Sequence, residues 1–495
     1  MPALTSRQRW LALVMLSAGL LLVMMDMTIL IMALPTITAD LGSTTTQQLW
    51  MVDIYSLVLA GLLIPMSVLA DRHGRRLILL IGFAIFGGVS LLVLFANTSE
   101  MVIALRAALG IGGAMVMPTT LSMIRTIFTD GAERAKALAI WSVIAGCGTV
   151  VGPVVGGALL NYFNWHAAFL VNVPFVAIAI IGGITLLPEA KSTNPPKWDV
   201  LATALTISGM VAIVWSIKQL GKHGWGDLTS LAVLLLGAAL MGAFVLRCLR
   251  HPEPMLDVRL FKKLPFTAGT IAALTGSLTM GGVMLLVAQW LQVILGFSPL
   301  QAGLASLPIA LGSFLTAPFA PALAQRIGAR TVLAGGLAIS ALGLVAIAML
   351  PLDTYAQIVL PLALVGAGVG SLAIGTAIIM GSTPEHKAGN AAAIEETMYD
   401  VGNVLGIAIL GSIADMTFRN FLATHHMPAE AQESLVGAHT VAEQAGIPEL
   451  VILANDAYLS GINSAALLGA GLLAAAAIAG FALVPRGFDI TATEK

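Results

Sequence analysis

Five carboxylates and one arginine lie inside stretches of sequence that are otherwise apolar. They are Asp26, Asp53, Arg106, Glu395, Glu396 and Asp400. A charged side chain at the centre of a membrane-spanning helix costs about 2.5 to 3.5 kcal/mol on insertion scales, and a single arginine offsets only part of that cost. A structural role would need counter-charges in similar number, so this set favours a function.

Carboxyl groups in such surroundings are suited to the exchange of a proton for a cation. Burial favours the protonated form of a carboxyl group, and the ionised form attracts positive charge. The same groups can therefore hold either a proton or a cationic solute, which is the chemical basis of an antiporter. Glu396, Asp400 and Asn403 share one helix face, whereas Glu395 shares its face with Gly402. We expect Glu396 and Asp400 to line a cavity, and Glu395 to lie nearer a helix contact.

Asp26 and Arg106 form a candidate pair. The two residues lie at similar estimated depth in the first and fourth apolar stretches. We expect them to pair when Asp26 is ionised, and we expect protonation of Asp26 to release Arg106.

The elements that hold these residues are predicted to be membrane-spanning helices. Of the 495 residues, 58% are hydrophobic and 10% are charged, whereas soluble proteins average about 25% charged residues. Apolar runs recur from end to end, so the sequence predicts an all-α membrane protein without a soluble domain. At about 20 residues per span, fourteen spans are predicted, at 11–35, 47–69, 77–96, 101–123, 135–158, 167–187, 199–218, 229–247, 266–287, 300–324, 331–350, 356–380, 392–414 and 459–483.

The distribution of basic residues predicts the orientation of the chain. An even number of spans puts both termini on one side, and cytoplasmic segments carry the excess of Lys and Arg. With both termini in the cytoplasm, only four of the 24 Lys and Arg residues fall elsewhere: Arg106, Lys218, Lys222 and Arg419. The one long outer loop, 416–458, is acidic. We interpret it as a solvated loop rather than as a vestibule that attracts cations, since salt screens exposed charges.

An internal repeat divides the chain into two halves. A shift of 254 residues carries Ala70–Arg76 onto Ala324–Arg330, Leu41–Gly42 onto Leu295–Gly296, and Gly148, Gly152 and Gly157 onto Gly402, Gly406 and Gly411. We predict a six-helix N-terminal bundle (1–190), two inserted helices with cytoplasmic loops (191–264), a six-helix C-terminal bundle that includes the outer loop (265–485) and a cytoplasmic tail (486–495). Duplicated bundles are typical of secondary transporters, whose substrate site lies near the midplane between the halves.

The sequence argues against several function classes. It has no phosphate-binding loop for ATP, so we expect no cofactor, and a pump would need an ion gradient as its energy source. The formal net charge of -1 and the lack of a long basic run give no electrostatic footprint for nucleic acid. His and Cys do not occur at metal-ligand spacing, and no nucleophile and base are paired as in an enzyme. We therefore expect a transporter without a metal site.

The fifth span carries a stripe of glycines. Gly148, Gly152 and Gly156 recur every four residues, and Pro153 removes one backbone hydrogen bond. Glycines at this spacing let helices approach closely. The stripe fits a hinge or a leak-tight seam as well as plain packing, and the sequence leaves both interpretations open.

At these positions the sequence resembles the major facilitator superfamily, specifically its fourteen-helix drug:proton antiporters. The resemblance covers essentially the whole chain. Its motifs are found at Ser67–Arg76 (motif A), Arg106–Gly112 (motif B), Gly148–Gly157 (motif C) and Met25–Pro35 (motif D). The stretches Trp50–Leu57 and Glu395–Asp400 are more specific, and they look like those of quaternary-ammonium and methyl-viologen exporters in this family.

The resemblance implies a major facilitator fold, a function and further site residues. It implies that the chain exports lipophilic cations such as quaternary ammonium compounds, biguanides, dyes and viologens across a bacterial cytoplasmic membrane in exchange for protons. We expect it to act as a monomer. Aromatic surfaces at Trp50 and Tyr55 suit the apolar body of such a cation, and Asn403 is a further cavity residue. The residues with an implied role in gating and conformational switching are Asp71, Arg72, Gly74, Arg75, Gly148, Gly152, Pro153 and Gly156.

Two other functions stay open. A proton-coupled uptake symporter would share the fold, but it needs polar side chains suited to a hydrophilic solute, and the predicted spans show few besides the acids. A non-transporting membrane sensor would need an output domain, and the tail after Val484 has 11 residues. We therefore expect exchange of a cation for a proton.

Overall fold

All regular structure in the described part of the chain is helical. A computed structural model describes residues 5–191, 198–224, 226–251, 254, 256–384, 387–425 and 427–488. The helices of the first half are α1 Ser6–Leu41, α2 Thr45–His73, α3 Arg75–Leu92, α4 Ser99–Ile127, α5 Gly131–Tyr162, α6 Ala167–Leu170, α7 Asn172–Leu186, α8 Val200–His223 and α9 Leu228–Arg250. Those that follow are α10 Leu264–Gln289, α11 Pro299–Ala305, α12 Leu307–Thr316, α13 Ala320–Ile327, α14 Ala329–Met349, α15 Tyr355–Val369, α16 Leu372–Gly381, α17 Ala388–Thr424, α18 Leu435–Ala445 and α19 Pro448–Leu483.

The described helices confirm the predicted all-helical membrane fold. Thirteen stretches of the described chain are long and apolar enough to cross a membrane. A further helix, α5, has 32 residues, although its described apolar stretch, Val151–Tyr162, is shorter. Large apolar side chains such as Leu235 and Ile178 are 71% and 67% exposed, as expected of helix faces that contact lipid. The chain is therefore a multi-pass membrane protein.

The helices group into two compact units. The first unit comprises Met1–Ser43, Trp50–Ile207 and Ser298–Leu304, and the second comprises Thr44–Leu49, Ser208–Phe297 and Ala305–Lys495. This grouping does not set the inserted residues 191–264 apart as a unit of their own. The predicted bundle boundaries therefore stay predictions.

The internal repeat is visible in the backbone. Gly42 and Gly296, after α1 and α10, have φ angles of 63° and 66°, and Gly74 and Gly328, before α3 and α14, have φ angles of 127° and 91°. Both pairs are related by the 254-residue shift found in the sequence. A residue with a Cβ atom is strained at such angles, so both halves need glycine at equivalent turns.

The prediction of a loop over 416–458 is wrong. α17 continues to Thr424, and α19 begins at Pro448. The predicted span ends just before Asp415, but Asp415 Oδ2 and Arg419 Nε lie 3.0 Å apart across one helical turn. Such a pair stabilises a helix, so the charges prolong α17 instead of ending it.

The segment between these two helices is folded, although its acidic residues Glu430 and Glu443 are exposed to solvent, as predicted. It contains α18, whose residues Leu435, Ala438 and Ala442 are buried. α18 packs on α19, so the segment forms a small folded cap on the second unit.

Candidate functional site

The first unit holds a buried ion pair between α1 and α4. Asp26 and Arg106 are both fully buried, and Arg106 Nη1 lies 2.5 Å from Asp26 Oδ2. Asp26 and Arg106 were predicted to pair because they lie at similar depth in their helices, and the structure confirms this pair. A buried pair needs further hydrogen bonds to offset the loss of hydration, and both partners have them.

Arg106 is held on two further sides. Its Nε donates to the carbonyl oxygen of Met51 at 3.2 Å, and its guanidinium carbon lies 4.4 Å from the centre of the Tyr55 ring. The Tyr55 hydroxyl donates to the carbonyl oxygen of Val23 at 3.2 Å. Tyr55 therefore contacts the guanidinium as a cation–π partner, and its predicted role in lining a drug cavity stays a prediction.

Asn172, at the start of α7, is a site residue that the sequence analysis missed. Its Nδ2 donates to Asp26 Oδ1 at 2.8 Å and to Ser90 Oγ at 3.3 Å. Asn172 is fully buried, and a buried amide requires hydrogen-bond partners. The available signal was a lone Asn in the apolar run Phe169–Pro174. Both carboxylate oxygens of Asp26 thus accept hydrogen bonds.

Two other predicted residues lie on α2 in the first unit. Asp53 is fully buried, and Trp50 is partly buried. The structure therefore places Asp53 away from water, as the sequence predicts, whereas a role for either residue in substrate binding stays a prediction.

The second unit holds the three α17 carboxyls that the sequence singles out. Glu395 is buried, and it accepts a hydrogen bond from the hydroxyl of Thr376 on α16. Asp400 is 6% exposed, and its buried Oδ2 has no hydrogen-bond partner among the described residues. Glu396 is partly buried. In the described chain none of the three forms an ion pair with Lys or Arg.

This arrangement agrees with one expectation and leaves another as a prediction. Glu395 contacts a neighbouring helix, α16, through Thr376, as expected, although Gly402 packs on a different helix, α10. That Glu396 and Asp400 line a cavity stays a prediction.

Close packing against α10 fixes the rotation of α17 about its axis. A Cβ atom at Gly406 would collide with the carbonyl oxygen of Leu278. The Ser277 hydroxyl donates to the carbonyl oxygen of Tyr399 at 2.6 Å, and the side chain of Asn403 lies against Gly281. Since small residues allow this approach, the carboxyls are held on a rigid helix and not on a loop.

The glycine stripe of α5 packs on α1 in the same manner. Gly148, Gly152 and Gly156 lie against Met24, Thr28 and Ile29. A Cβ atom at Gly156 would lie 2.5 Å from Ile29 Cγ1, and α5 remains one helix through Pro153. Close packing is therefore confirmed for the stripe, and a part in gating stays a prediction.

The motif A residues lie at the turn between α2 and α3. Arg75 Nη2 lies 2.8 Å from Asp71 Oδ1, and Arg75 Nη1 donates to Thr126 Oγ1 on α4 at 2.5 Å. Gly74 provides the turn, and Arg72 is exposed. Asp71 and Arg75 thus join three helix ends within the first unit, and their implied role as a latch stays a prediction.

Comparisons with known proteins agree with this architecture. The family profile of the Major Facilitator Superfamily matches residues 16–406. The sequence is 40% identical over 489 residues to the multidrug efflux pump LfrA of Mycolicibacterium smegmatis, with 97% of each chain covered. It is 37% identical over 430 residues to the methyl viologen resistance protein SmvA of Salmonella typhimurium, with 86% of each chain covered.

A solved structure shows the same fold at low sequence identity. The bacterial homologue of the human lysosomal transporter Spinster, in an inward-facing and unoccupied conformation, superimposes with a TM-score of 0.70 and 18% identity over 97% of each chain. At that identity the likeness concerns the fold alone.

Proposed function

Because this chain belongs to the Major Facilitator Superfamily, we propose that it exports lipophilic cations in exchange for protons. Its relatives include a multidrug efflux pump and a methyl viologen resistance protein, and methyl viologen is itself a flat dication. The proposed substrates are quaternary ammonium compounds, biguanides, cationic dyes and viologens.

One observation carries this proposal: the carboxyls of Glu395, Glu396 and Asp400 in the first half of α17 have no basic partner in the described chain. Glu395 and Asp400 are buried, and Asp400 Oδ2 has no hydrogen-bond partner among the described residues. A buried carboxylate without a counter-charge is costly, so such a group either holds a proton or binds a cation that comes from outside the protein. A carboxyl group that alternates between these two states exchanges a proton for a cation, as an antiporter must.

In the proposed cycle, the proton and the cation occupy these carboxyls alternately. When a lipophilic cation approaches, the carboxyl O–H bond breaks, the proton leaves to water, and the carboxylate pairs with the cation. On the other side of the membrane a proton binds the carboxylate again and the cation is released. Exchange of one proton for one monovalent cation moves no net charge, so the pH difference drives it. The electrical gradient, worth about 2.3 kcal/mol per charge at 100 mV, contributes only when more protons than cation charges cross.

Asp26 has a different proposed part in the cycle. Protonation of Asp26 would remove its attraction to Arg106, which is otherwise 2.5 Å away. Arg106 could then move relative to α1, so the pair is suited to linking protonation to a change in helix packing. Asp26 therefore acts as a switch in this proposal, whereas the α17 carboxyls contact the substrate.

The proposed membrane and orientation rest on the distribution of basic residues along the chain. We place the protein in the bacterial cytoplasmic membrane, as a monomer with both termini in the cytoplasm, because that orientation puts the Lys and Arg excess inside.

A transport assay in proteoliposomes tests the proposal. Purified protein is reconstituted with a pH-sensitive dye in the lumen, and methyl viologen is added outside without any imposed pH gradient. Exchange predicts that the lumen becomes alkaline as the cation enters, because protons leave in return. Asp400→Asn should remove this signal, and liposomes without protein give the baseline.

The same assay separates the other candidate functions. A symporter would acidify the lumen as the cation enters. A sensor or scaffold would move neither cation nor proton, and either result would overturn the proposal.

A further inference from the structure

A pocket in the second unit lies where the turn between α14 and α15 meets α19. Its volume is about 250 Å³, several times the roughly 30 Å³ that one water molecule occupies. Asp456, Ser460 and Asn463 of α19 line one side of it. Because these residues are spaced i, i+4 and i+7, they share one face of the helix. This side of the pocket therefore combines a carboxylate, a hydroxyl and an amide.

The other side of the pocket is a turn with an unusual backbone. Leu350, Pro351 and Leu352 line it. Leu352 has a φ angle of 46°, and no other residue of the described chain except glycine has a positive φ. Bulky residues rarely adopt this conformation, and such outliers are typical of ligand sites, where the surrounding structure enforces them. The side chain of Leu352 is 1% exposed, so packing holds the turn in its shape.

Two features of the pocket call for a positively charged hydrogen-bond donor. Asn463 Oδ1 is buried and has no hydrogen-bond partner among the described residues, and a buried acceptor without a donor is costly. Asp456 and Asp353, the residue after Leu352, are exposed. Neither forms an ion pair with a residue of the described chain. The pocket thus has a negative charge at its outer end and an unused acceptor at its inner end.

The lengths of two helices place the pocket at a surface of the membrane. α14 has 21 residues, which is about one span, so the hydrocarbon layer ends near Met349, whose side chain is 78% exposed. On α19, about 20 residues counted back from Leu483 end near Asn463. Asp456 lies two helical turns further out, about 10 Å along the axis. Both helices therefore put the pocket at the level of the lipid head groups.

We propose that this pocket binds the primary ammonium group of a lipid head group, such as that of phosphatidylethanolamine. The ammonium group has three N–H donors, so it can donate to Asn463 Oδ1 and to the Ser460 hydroxyl oxygen one turn away. Asp456, one turn further out, supplies the compensating charge. Quaternary ammonium ions and methyl viologen have no N–H donor, so this site differs in chemistry from the proposed export site. Only the assignment to the outer leaflet rests on the proposed orientation.

Two lipids that differ only in their N–H donors test the proposal. Full-length protein in detergent is mixed with phosphatidylethanolamine, or with phosphatidylcholine that has the same acyl chains. Native mass spectrometry then gives the Kd of the first bound lipid. Wild type should bind phosphatidylethanolamine about tenfold more tightly, because only this head group can donate to Asn463 Oδ1. Equal affinity for the two lipids would overturn the proposal.

Three variants assign the recognition to particular side chains. Asn463→Leu has a similar volume but no acceptor, so it should remove the preference for phosphatidylethanolamine and leave the affinity for phosphatidylcholine unchanged. Asp456→Asn removes a charge that attracts either head group, so it should weaken both lipids about fivefold or more. Glu449→Gln removes an exposed carboxylate of α19 outside the pocket, and it should change neither affinity.

Melting temperature in lipid-free detergent distinguishes binding from a structural role. Asn463 Oδ1 has no hydrogen-bond partner to lose among the described residues, so Asn463→Leu should not lower the melting temperature. A lower melting temperature together with an unchanged lipid preference would show that Asn463 only supports the fold, and the site would be wrong.

Free ethanolamine separates a lipid from a soluble amine as the ligand. It carries the same ammonium group without acyl chains. Because the pocket lies beside the exposed side chain of Met349, the lipid chains should add to its affinity. Ethanolamine should therefore displace phosphatidylethanolamine only at concentrations far above the Kd of the lipid. Displacement at equal concentrations would contradict the assignment to a lipid. Failure of cation and proton exchange would leave all of these binding results unaffected.

Discussion

The Asp26 cluster of the first unit and the Glu395 and Asp400 carboxyls of the second unit differ in how their charge is compensated. In the first, Asp26 accepts hydrogen bonds from Arg106 and Asn172, so its charge is compensated within the protein. In the second, Glu395 accepts only a hydroxyl hydrogen bond, and Asp400 Oδ2 has no partner in the described chain. The glycine packing, the turns and two arginines at those turns repeat between the halves, but the buried carboxyls do not. The two halves therefore share a backbone architecture, but they differ in the buried charged residues that it positions.

The largest expected effect on stability comes from removing the positive charge of Arg106 beside Asp26. Arg106→Gln leaves the fully buried Asp26 carboxylate without its counter-charge, which should lower the free energy of unfolding by about 3 to 5 kcal/mol. The measurement is reversible unfolding in mixed detergent micelles. The double variant Asp26→Asn with Arg106→Gln removes both charges and should recover most of the loss. If Arg106→Gln alone left the stability unchanged, Asp26 would not be compensated by Arg106, and the contrast between the two clusters would fail.

The second prediction concerns the uncompensated cluster. Asp400 has no basic partner in the described chain, so Asp400→Asn leaves no buried positive charge unpaired. The free energy of unfolding should therefore change little. Export of methyl viologen should fall about 30-fold or more, because losing one buried charge contact costs about 2 to 5 kcal/mol. The measurement is efflux from loaded proteoliposomes, with exposed Glu449→Gln on α19 as the control. A variant that lost stability but kept export would reverse the assignment.

The third prediction isolates the amide beside Asp26. Asn172→Leu has similar volume but no donor, so Asp26 Oδ1 loses its 2.8 Å hydrogen bond. The free energy of unfolding should fall by about 1 to 3 kcal/mol, as for other buried groups left without a partner. Ser90→Ala removes only the longer contact to Asn172 and should cost less. Equal costs for the two variants would show that the amide does not serve Asp26.

The smallest effect is expected at a carboxylate outside the spans. Burial opposes ionisation of Asp257, but the hydrogen bond and charge of Lys387 and the backbone N–H of Arg259 outweigh it and hold the pKa of this carboxyl below its usual value. The pair, with Lys387 Nζ 2.7 Å from Asp257 Oδ2, is partly exposed, so Asp257→Asn should cost less than about 1 kcal/mol.

The pH dependence of that cost follows from the lowered pKa. The contribution of Asp257 is fully present above the usual aspartate pKa of about 3.9, and it is lost as the pH falls through the lower folded value. Unfolding measured at pH 7 and in strong acid should therefore show a difference between wild type and Asp257→Asn only at pH 7. If wild type and Asp257→Asn still differed in free energy of unfolding in acid, the charge of Asp257 would not be the source of the difference.

Much of the scaffold could be predicted from the sequence because its signals are local. Apolar runs of span length predict the helices, and the shift of 254 residues predicts which glycines share a conformation. The Asp26–Arg106 pair was predictable as well, since two opposite charges at similar depth in apolar helices have few other partners.

The misses share a physical cause. Asp415 and Arg419 interrupt the apolar run, so hydropathy alone ends the helix there, although an ion pair one turn apart stabilises it. Asn172 carries no charge, so it did not stand out as costly. Its role depends on α7 reaching Asp26 in α1, a contact between residues 146 positions apart that no local pattern shows.

Proton release on cation binding tests the central claim most directly. Methyl viologen is added to the purified protein in weakly buffered nanodiscs without any gradient, and the pH is recorded. We expect wild type and Asp26→Asn to release protons as the cation binds. We expect the triple variant Glu395→Gln, Glu396→Gln and Asp400→Asn to release none. Undiminished proton release from the triple variant would contradict the claim that the α17 carboxyls exchange a proton for the cation.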